Sequence, residues 1–187
     1  IYNNVKIHDF HFADEKIVTN CNKFSIISDL NIAADGKNSF VKNFFKTPFY
    51  FKNYNKNALV LTLIHSKSHE DTAFEFFYKN GPLAILPMKN LNNNFCSSIV
   101  WTNEKKYLND LLNIDNNKLI TVLNDETQHC VGNIEKIINK KTFQLNAHLN
   151  SRFFEKRTIF IGDSAHSFHP IAGQGWNQGV KGISELF

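Results

Sequence analysis

The sequence predicts a mixed α/β fold, an α/β unit interrupted by an antiparallel sheet. Three observations carry this. Near each end a short apolar strand runs into a glycine turn and then a helix, at Leu30–Phe45 and at Thr158–Gly179. Between them lie four strand-like runs too closely spaced to hold crossover helices, which calls for antiparallel pairing. Two leucine-bearing segments with helical spacing complete the pattern.

In chain order, apolar and polar residues alternate near Val5–Ile7 and Phe24–Ile27. Asn22-Lys23 separates two strands, Lys16–Cys21 and Phe24–Ser28, as a hairpin would. Leu30–Ala34 reads as a buried strand entering the Asp35-Gly36 turn, and Ser39–Phe45 as a short helix. Strands follow at Leu59–His65, Ala73–Tyr78, Leu83–Pro87 and Ser97–Thr102, with Asn92-Asn93-Asn94 as a solvated turn. Asn103–Asn113 places Leu108, Leu111 and Leu112 on one helical face, and Asn116–Leu123 is a second helix. Asn150–Lys156 leads into a last strand, Thr158–Ile161, and a helix starts near Trp176-Asn177. The predicted divisions are 1–45, 46–125 and 126–187, the first and third belonging to one domain.

Composition narrows the function. Phenylalanine is abundant, at 18 residues, whereas arginine occurs only at Arg152 and Arg157. The net charge of +4 is spread along the chain with no basic-aromatic stripe, so nucleic acid is not an expected partner. Cys21, Cys96 and Cys130 are far apart and form no Cys-x-x-Cys, which argues against a zinc site or a redox pair and suits a reducing, cytoplasmic setting. No apolar run approaches the roughly 20 residues a membrane-spanning helix needs.

The chemistry concentrates in the last thirty residues. Gly162-Asp163-Ser164-Ala165-His166 is followed by His169-Pro170-Ile171-Ala172-Gly173-Gln174-Gly175 and by Asn177-Gln178-Gly179. A strand feeding a glycine-rich turn and a helix N-terminus can hold an anionic or electron-rich group, and a carboxylate at the strand's carboxyl end can accept hydrogen bonds from ligand hydroxyls. This segment resembles the second flavin-binding motif of the FAD-dependent aromatic hydroxylases, closest to the ubiquinone-biosynthesis branch, the UbiH/UbiF/Coq6-like hydroxylases. The departures are Ser164 for the family's alanine and Trp176 for its leucine or phenylalanine. Ala34-Asp35-Gly36-Lys37-Asn38-Ser39-Phe40-Val41-Lys42 resembles the family's Ala-Asp-Gly-x-x-Ser-x-Val-Arg element. Lys42 there keeps the charge of the usual arginine but not its planar fork. Weaker likenesses run through Tyr54–Val60, Gly81–Pro87 and Ser98–Trp101.

The resemblance implies a partial FAD-binding, Rossmann-like domain with an inserted antiparallel-sheet substrate domain, like that of p-hydroxybenzoate hydroxylase. It implies FAD as cofactor and NAD(P)H as reductant, with oxygen delivered from a flavin C4a-hydroperoxide to the ring of a polyprenylated phenol in ubiquinone biosynthesis. The implied cofactor-binding residues are Asp35, Gly36, Gly162, Asp163, His166, Pro170, Gly173, Gln174, Gly175, Trp176 and Asn177. Asp163 would bind a ribityl hydroxyl, Pro170 would line the reactive face of the flavin, and the backbone N–H groups near Gly175, Trp176 and Asn177 would face its N1–C2 edge. The inserted sheet would wall the substrate cavity. Phe74, Phe76, Leu83 and Ile85 are candidates to face it, although each is individually better read as an ordinary core residue. Peripheral contact with the inner membrane and membership of a ubiquinone-biosynthesis complex come with the resemblance as further expectations.

The opening Gly-x-Gly-x-x-Gly element of such enzymes has no counterpart here, since Gly173-Gln-Gly175-Trp-Asn-Gln-Gly179 has the wrong last spacing. The chain therefore reads as an internal piece of a longer enzyme, inactive by itself or completed by a separately made piece. No catalytic acid or base is evident. The His-x-x-His spacing of His166 and His169 falls in a loop without a nearby glutamate, so no metal is expected. Gly162-Asp163-Ser164 also matches the nucleophile motif of some serine esterases, but here it lies at the wrong end of the chain and inside a longer flavin motif. A non-catalytic relic is the remaining alternative.

Overall fold

The computed structural model describes residues 1–168 and 173–186. The chain forms two compact units, Ile1–Lys52 with Asn146–Phe187, and Asn53–Leu145. These units divide at 52/53 and 145/146, and a long strand, Ile134–Asn150, crosses the second division.

The first unit opens with an antiparallel meander of β1 (Ile7–Ala13), β2 (Lys16–Cys21) and β3 (Ser25–Ser28). Ala13 pairs with Lys16, so Asp14 and Glu15 make a two-residue loop. Both have positive φ, 46° and 60°, as in the turn whose twist matches that of the strands it joins. Next come β4 (Asn31–Ala33) and the one-turn helix α1 (Phe40–Phe44), capped by Ser39, whose hydroxyl accepts from the Lys42 N–H at 2.9 Å. The expected buried strand at Leu30–Ala34 is corrected here. Only Ala33 is buried within β4, and Ile32 is 49% exposed, because β4 is an edge strand.

From Asn53 onward, β5 (Phe49–His65) belongs to the second unit with β6 (Phe74–Tyr78), β7 (Gly81–Leu91), β8 (Asn94–Glu104), α2 (Lys105–Asn113), α3 (Asn116–Glu126) and, up to Leu145, β9 (Ile134–Asn150). The strands run in the order β9-β5-β8-β7-β6. Register aligns Leu59 with Trp101 and Trp101 with Leu83, then Leu61 with Ile99 and Ile99 with Ile85. These residues share one face and form a single buried cluster with Leu108 and Leu111 of α2 and Leu119 and Leu123 of α3. Alternation along the strands leaves Val60, Thr62, Ile64, Ala84, Ser98 and Val100 half-buried on the other face. Leu83 and Ile85 are therefore core residues, and Phe74 and Phe76 pack against the same core. All four are accounted for by packing beneath the helices.

β9 is absent from the sequence reading for a physical reason. Its buried positions include Ile134 and Ile137, then Leu145 and His148, each pair three residues apart, which breaks the two-residue period that marks a strand.

The chain returns to the first unit with β10 (Phe154–Glu155), β11 (Thr158–Phe160), a 3₁₀ turn at Gly162–Ser164, β12 (His166–Ser167) and α4 (Gln174–Ser184). α4 starts two residues earlier than Trp176, with Gly173 at its cap. β12 pairs with β9 at His148 and Leu149. The core of this unit joins Phe10, Ile17, Ala33, Val41, Phe160 and Ala165.

The two faces of the second sheet should respond differently to truncation. Leu61→Ala is expected to cost about 2–5 kcal/mol in urea unfolding, and Val60→Ala less than half as much. Equal losses would contradict this assignment of faces.

Candidate functional site

β4 and β11 are adjacent and parallel, with Asn31 beside Thr158, Ile32 beside Ile159 and Ala33 beside Phe160. Parallel pairing puts both carboxyl ends at one edge, so the Asp35-Gly36 turn and the Gly162-Asp163 turn leave the sheet side by side. This edge is where open α/β sheets bind ligands. The Ile161 N–H donates to the Ala33 carbonyl at 3.0 Å, and the Ser164 hydroxyl donates to the same carbonyl and to that of Ile161. Gly36 and Gly162 have φ of 79° and 56°, a backbone region that costs glycine little.

The Asp35 carboxylate accepts from the Val41 N–H at 3.2 Å, so it braces the start of α1. Asp163 is exposed at the turn, and its charge is felt by Lys37 and His148. Gly173 caps α4 at φ 61°, and Gln174, Gly175, Trp176 and Asn177 form an exposed first turn in which the N–H groups of Gln174, Gly175 and Trp176 have no intrahelical acceptor. α4 lies close against the Gly162 turn, since a Cβ built on Gly179 would come within 3.7 Å of the Gly162 Cα. The His166 ring stands edge-on to Phe153, with centroids 6.1 Å apart, and lies 5.0 Å from Phe168. Pro170 and His169 lie outside the described residues.

An exposed carboxylate at a strand end, a glycine turn and a helix N-terminus form a donor set that suits a flavin. The carboxylate accepts from hydroxyls, and the helix end favours electron-rich edges. The competing nucleophile reading fails on Ser164, which is fully buried with its hydroxyl turned to two backbone carbonyls.

Sequence reasoning did not anticipate a basic pocket of about 480 Å³ in this unit, lined by Lys37, Lys42, Phe49, Phe51, Asn146 and His148 among others. Lys37 donates to the Asn146 carbonyl at 3.4 Å. Lys42 is buried, donates to the Lys37 carbonyl at 3.3 Å, and sits 4.7 Å over the Phe49 ring. Burial lowers the basicity of both lysines. His148 is pushed down to about 4, first by burial and then by the charges of Lys42 and Lys37. Lys37 and Lys42 lie within a motif already singled out. His148 lies in β9, a strand with no readable period, so no signal pointed to it.

This chain belongs to the FAD-binding domain family, which matches residues 15–187. Within it, the chain is similar to ubiquinone hydroxylase UbiL of Rhodospirillum rubrum, at 31% identity over 84% of this chain. It is also similar to the human mitochondrial ubiquinone biosynthesis monooxygenase COQ6, at 29% identity over 84% of this chain. It spans 36% and 40% of those two proteins. The fold matches that of Pseudomonas aeruginosa PqsL in complex with 2-aminobenzoylacetate, with TM-score 0.79 and 18% identity over 97% of this chain and 51% of that one.

His148 binds protons more weakly folded than unfolded, so its contribution to stability is complete above its ordinary value of 6.5 and is lost as pH falls from there toward 4. Wild type is expected to lose up to about 3 kcal/mol more over that window than His148→Gln. Urea midpoints at stepped pH check this, and parallel profiles would refute it.

Proposed function

We propose that this chain is part of an FAD-dependent monooxygenase that hydroxylates the aromatic ring of a polyprenylated phenol in ubiquinone biosynthesis. NAD(P)H is the reductant and O₂ the co-substrate. The observation that carries the reading is the parallel β4–β11 pair, which brings the Asp35-Gly36 and Gly162-Asp163 turns to one sheet edge. The ubiquinone-hydroxylating relatives support the choice of substrate.

Bound FAD supplies the redox and oxygen chemistry. The chain's own residues bind and orient it. The exposed Asp163 carboxylate would accept a hydrogen bond from a ribityl hydroxyl. The Gly162 turn and Gly173-Gln174 let the backbone approach the ligand closely. The N–H groups at the start of α4, near Gly175, Trp176 and Asn177, would face the N1–C2 edge of the ring, where a helix N-terminus would stabilise negative charge. Asp35 and Gly36 would form the turn nearest the pyrophosphate, and His166 would orient the Gly162-Asp163 turn beside Phe153 and Phe168. Among the described residues no helix is long and apolar enough to cross a membrane. A polyprenyl substrate suits a peripheral contact at the inner membrane, and the likeness to ubiquinone-biosynthesis hydroxylases suits association with other enzymes of that route.

Flavin absorbance retained by the purified chain after desalting tests this reading, with Asp163→Ala alongside. The wild-type chain should keep FAD and the variant should lose most of it. Equal flavin content in the two would refute the role of Asp163.

A further inference from the structure

We propose that β6 is a self-association edge, pairing antiparallel with β6 of a second copy of this chain about a two-fold axis at Phe76. β6 ends one side of the second sheet, and no described strand pairs beyond it. Lys79 and Asn80 make a two-residue loop, so Tyr78 and Gly81 exchange both backbone hydrogen bonds. Alternation makes Phe76 with Leu83 and Phe74 with Ile85 the other bonded pairs. Pro82, opposite Phe77, has no N–H to donate across, which agrees with this phase. The N–H and C=O groups of Glu75 and Phe77 therefore point away from β7, toward the open edge. Glu75 is exposed there, and Phe77 is 78% exposed. Devices that blunt an edge strand are scarce in β6, whose register with β7 has no bulge and which contains no proline and no lysine.

The strand is complementary to itself. Antiparallel pairing about Phe76 sets Glu75 opposite Phe77 of the second copy, and Phe77 opposite its Glu75. Each such pair exchanges two backbone hydrogen bonds, so every outward N–H and C=O of β6 gains a partner. The two carboxylates do not face each other. Lys79, one residue beyond the strand, falls diagonal to Glu75 of the second copy, which gives that carboxylate an opposite charge. On the other face Phe74, Phe76 and Tyr78 form a half-buried aromatic row packed against the core, with the Phe76 and Tyr78 rings stacked 6.2 Å apart. Pairing sets Phe76 against Phe76 and Phe74 against Tyr78, which continues that row across the axis. A second copy fits better than an unrelated strand because the same residues supply both halves of each contact. The two-fold axis uses the β6 edge of both copies, so assembly stops at the dimer.

This contact draws nothing from the flavin site. It is short, at the small end of protein interfaces, so the dimer should dissociate with a Kd on the order of 10 µM. Sedimentation of the purified chain across a concentration series should show a monomer–dimer equilibrium. Amide exchange at Glu75 and Phe77 should slow as concentration rises, while exchange at Phe74 and Phe76 changes less. Glu75→Pro removes only an outward N–H, so it should keep the native circular dichroism and weaken the dimer by about tenfold or more. Phe77→Glu sets carboxylate against carboxylate and should weaken it similarly, whereas Phe77→Lys sets an ammonium against Glu75 and should keep the dimer. The pair of Phe77 variants stays informative even where proline disturbs the strand. A chain that stays monomeric throughout, assembly beyond the dimer, or a dimer that Glu75→Pro and Phe77→Glu leave unchanged would each overturn the proposal.

Discussion

The parallel contact between β4 and β11 is the constraint on which the first unit depends. Thr158 lies 127 residues beyond Asn31, yet their strands lie side by side and point the same way. No short loop can join parallel neighbours, so everything between them must leave the sheet and return. The Ala33 carbonyl closes the junction by accepting from both the Ile161 N–H and the Ser164 hydroxyl. With the strand ends locked, Gly36 and Gly162 can turn the chain sharply, and Asp163 stands exposed at the same edge. The site is a product of strand direction more than of any one side chain.

Electrostatics follows from the same geometry. The lysines of the Asp35-Gly36 segment and the histidine of β9 come together only because β9 runs back into this unit. Burial then governs all three groups, weakening the basicity of the lysines and holding His148 neutral. Asp163 pulls the other way on Lys37 and His148, which ties the basic pocket to the exposed carboxylate beside it. An aspartate in Asp-Gly often does no more than organise a turn, and Asp35 does organise one, through the Val41 N–H. Bracing α1 also positions Lys42, so the local role and the site are one arrangement.

The second unit follows a simpler rule. Alternation along β5, β7 and β8 sends Leu59, Leu61, Leu63, Leu83, Ile85, Ile99 and Trp101 to one face, and α2 and α3 cover that face. The opposite face keeps half-buried small and branched residues. Period alone sorts residues into two sets without saying which set the helices cover. That is why Leu83 and Ile85 could be named as candidates for a cavity wall and yet prove to be core.

Sequence by itself determined the mixed α/β class, the antiparallel sheet, both leucine-faced helices and the two glycine turns with their aspartates. These are local matters of periodicity, turn chemistry and motif spacing, all carried by neighbouring residues. Tertiary structure decided the rest. It made β4 an exposed edge, revealed β9 where uneven spacing had hidden it, set the unit divisions at 52/53 and 145/146, and turned Ser164 inward as a clamp. It also gathered Lys37, Lys42 and His148 into one pocket. Each of these depends on residues more than a hundred positions apart, or on which face of a strand becomes covered, and no local pattern encodes either.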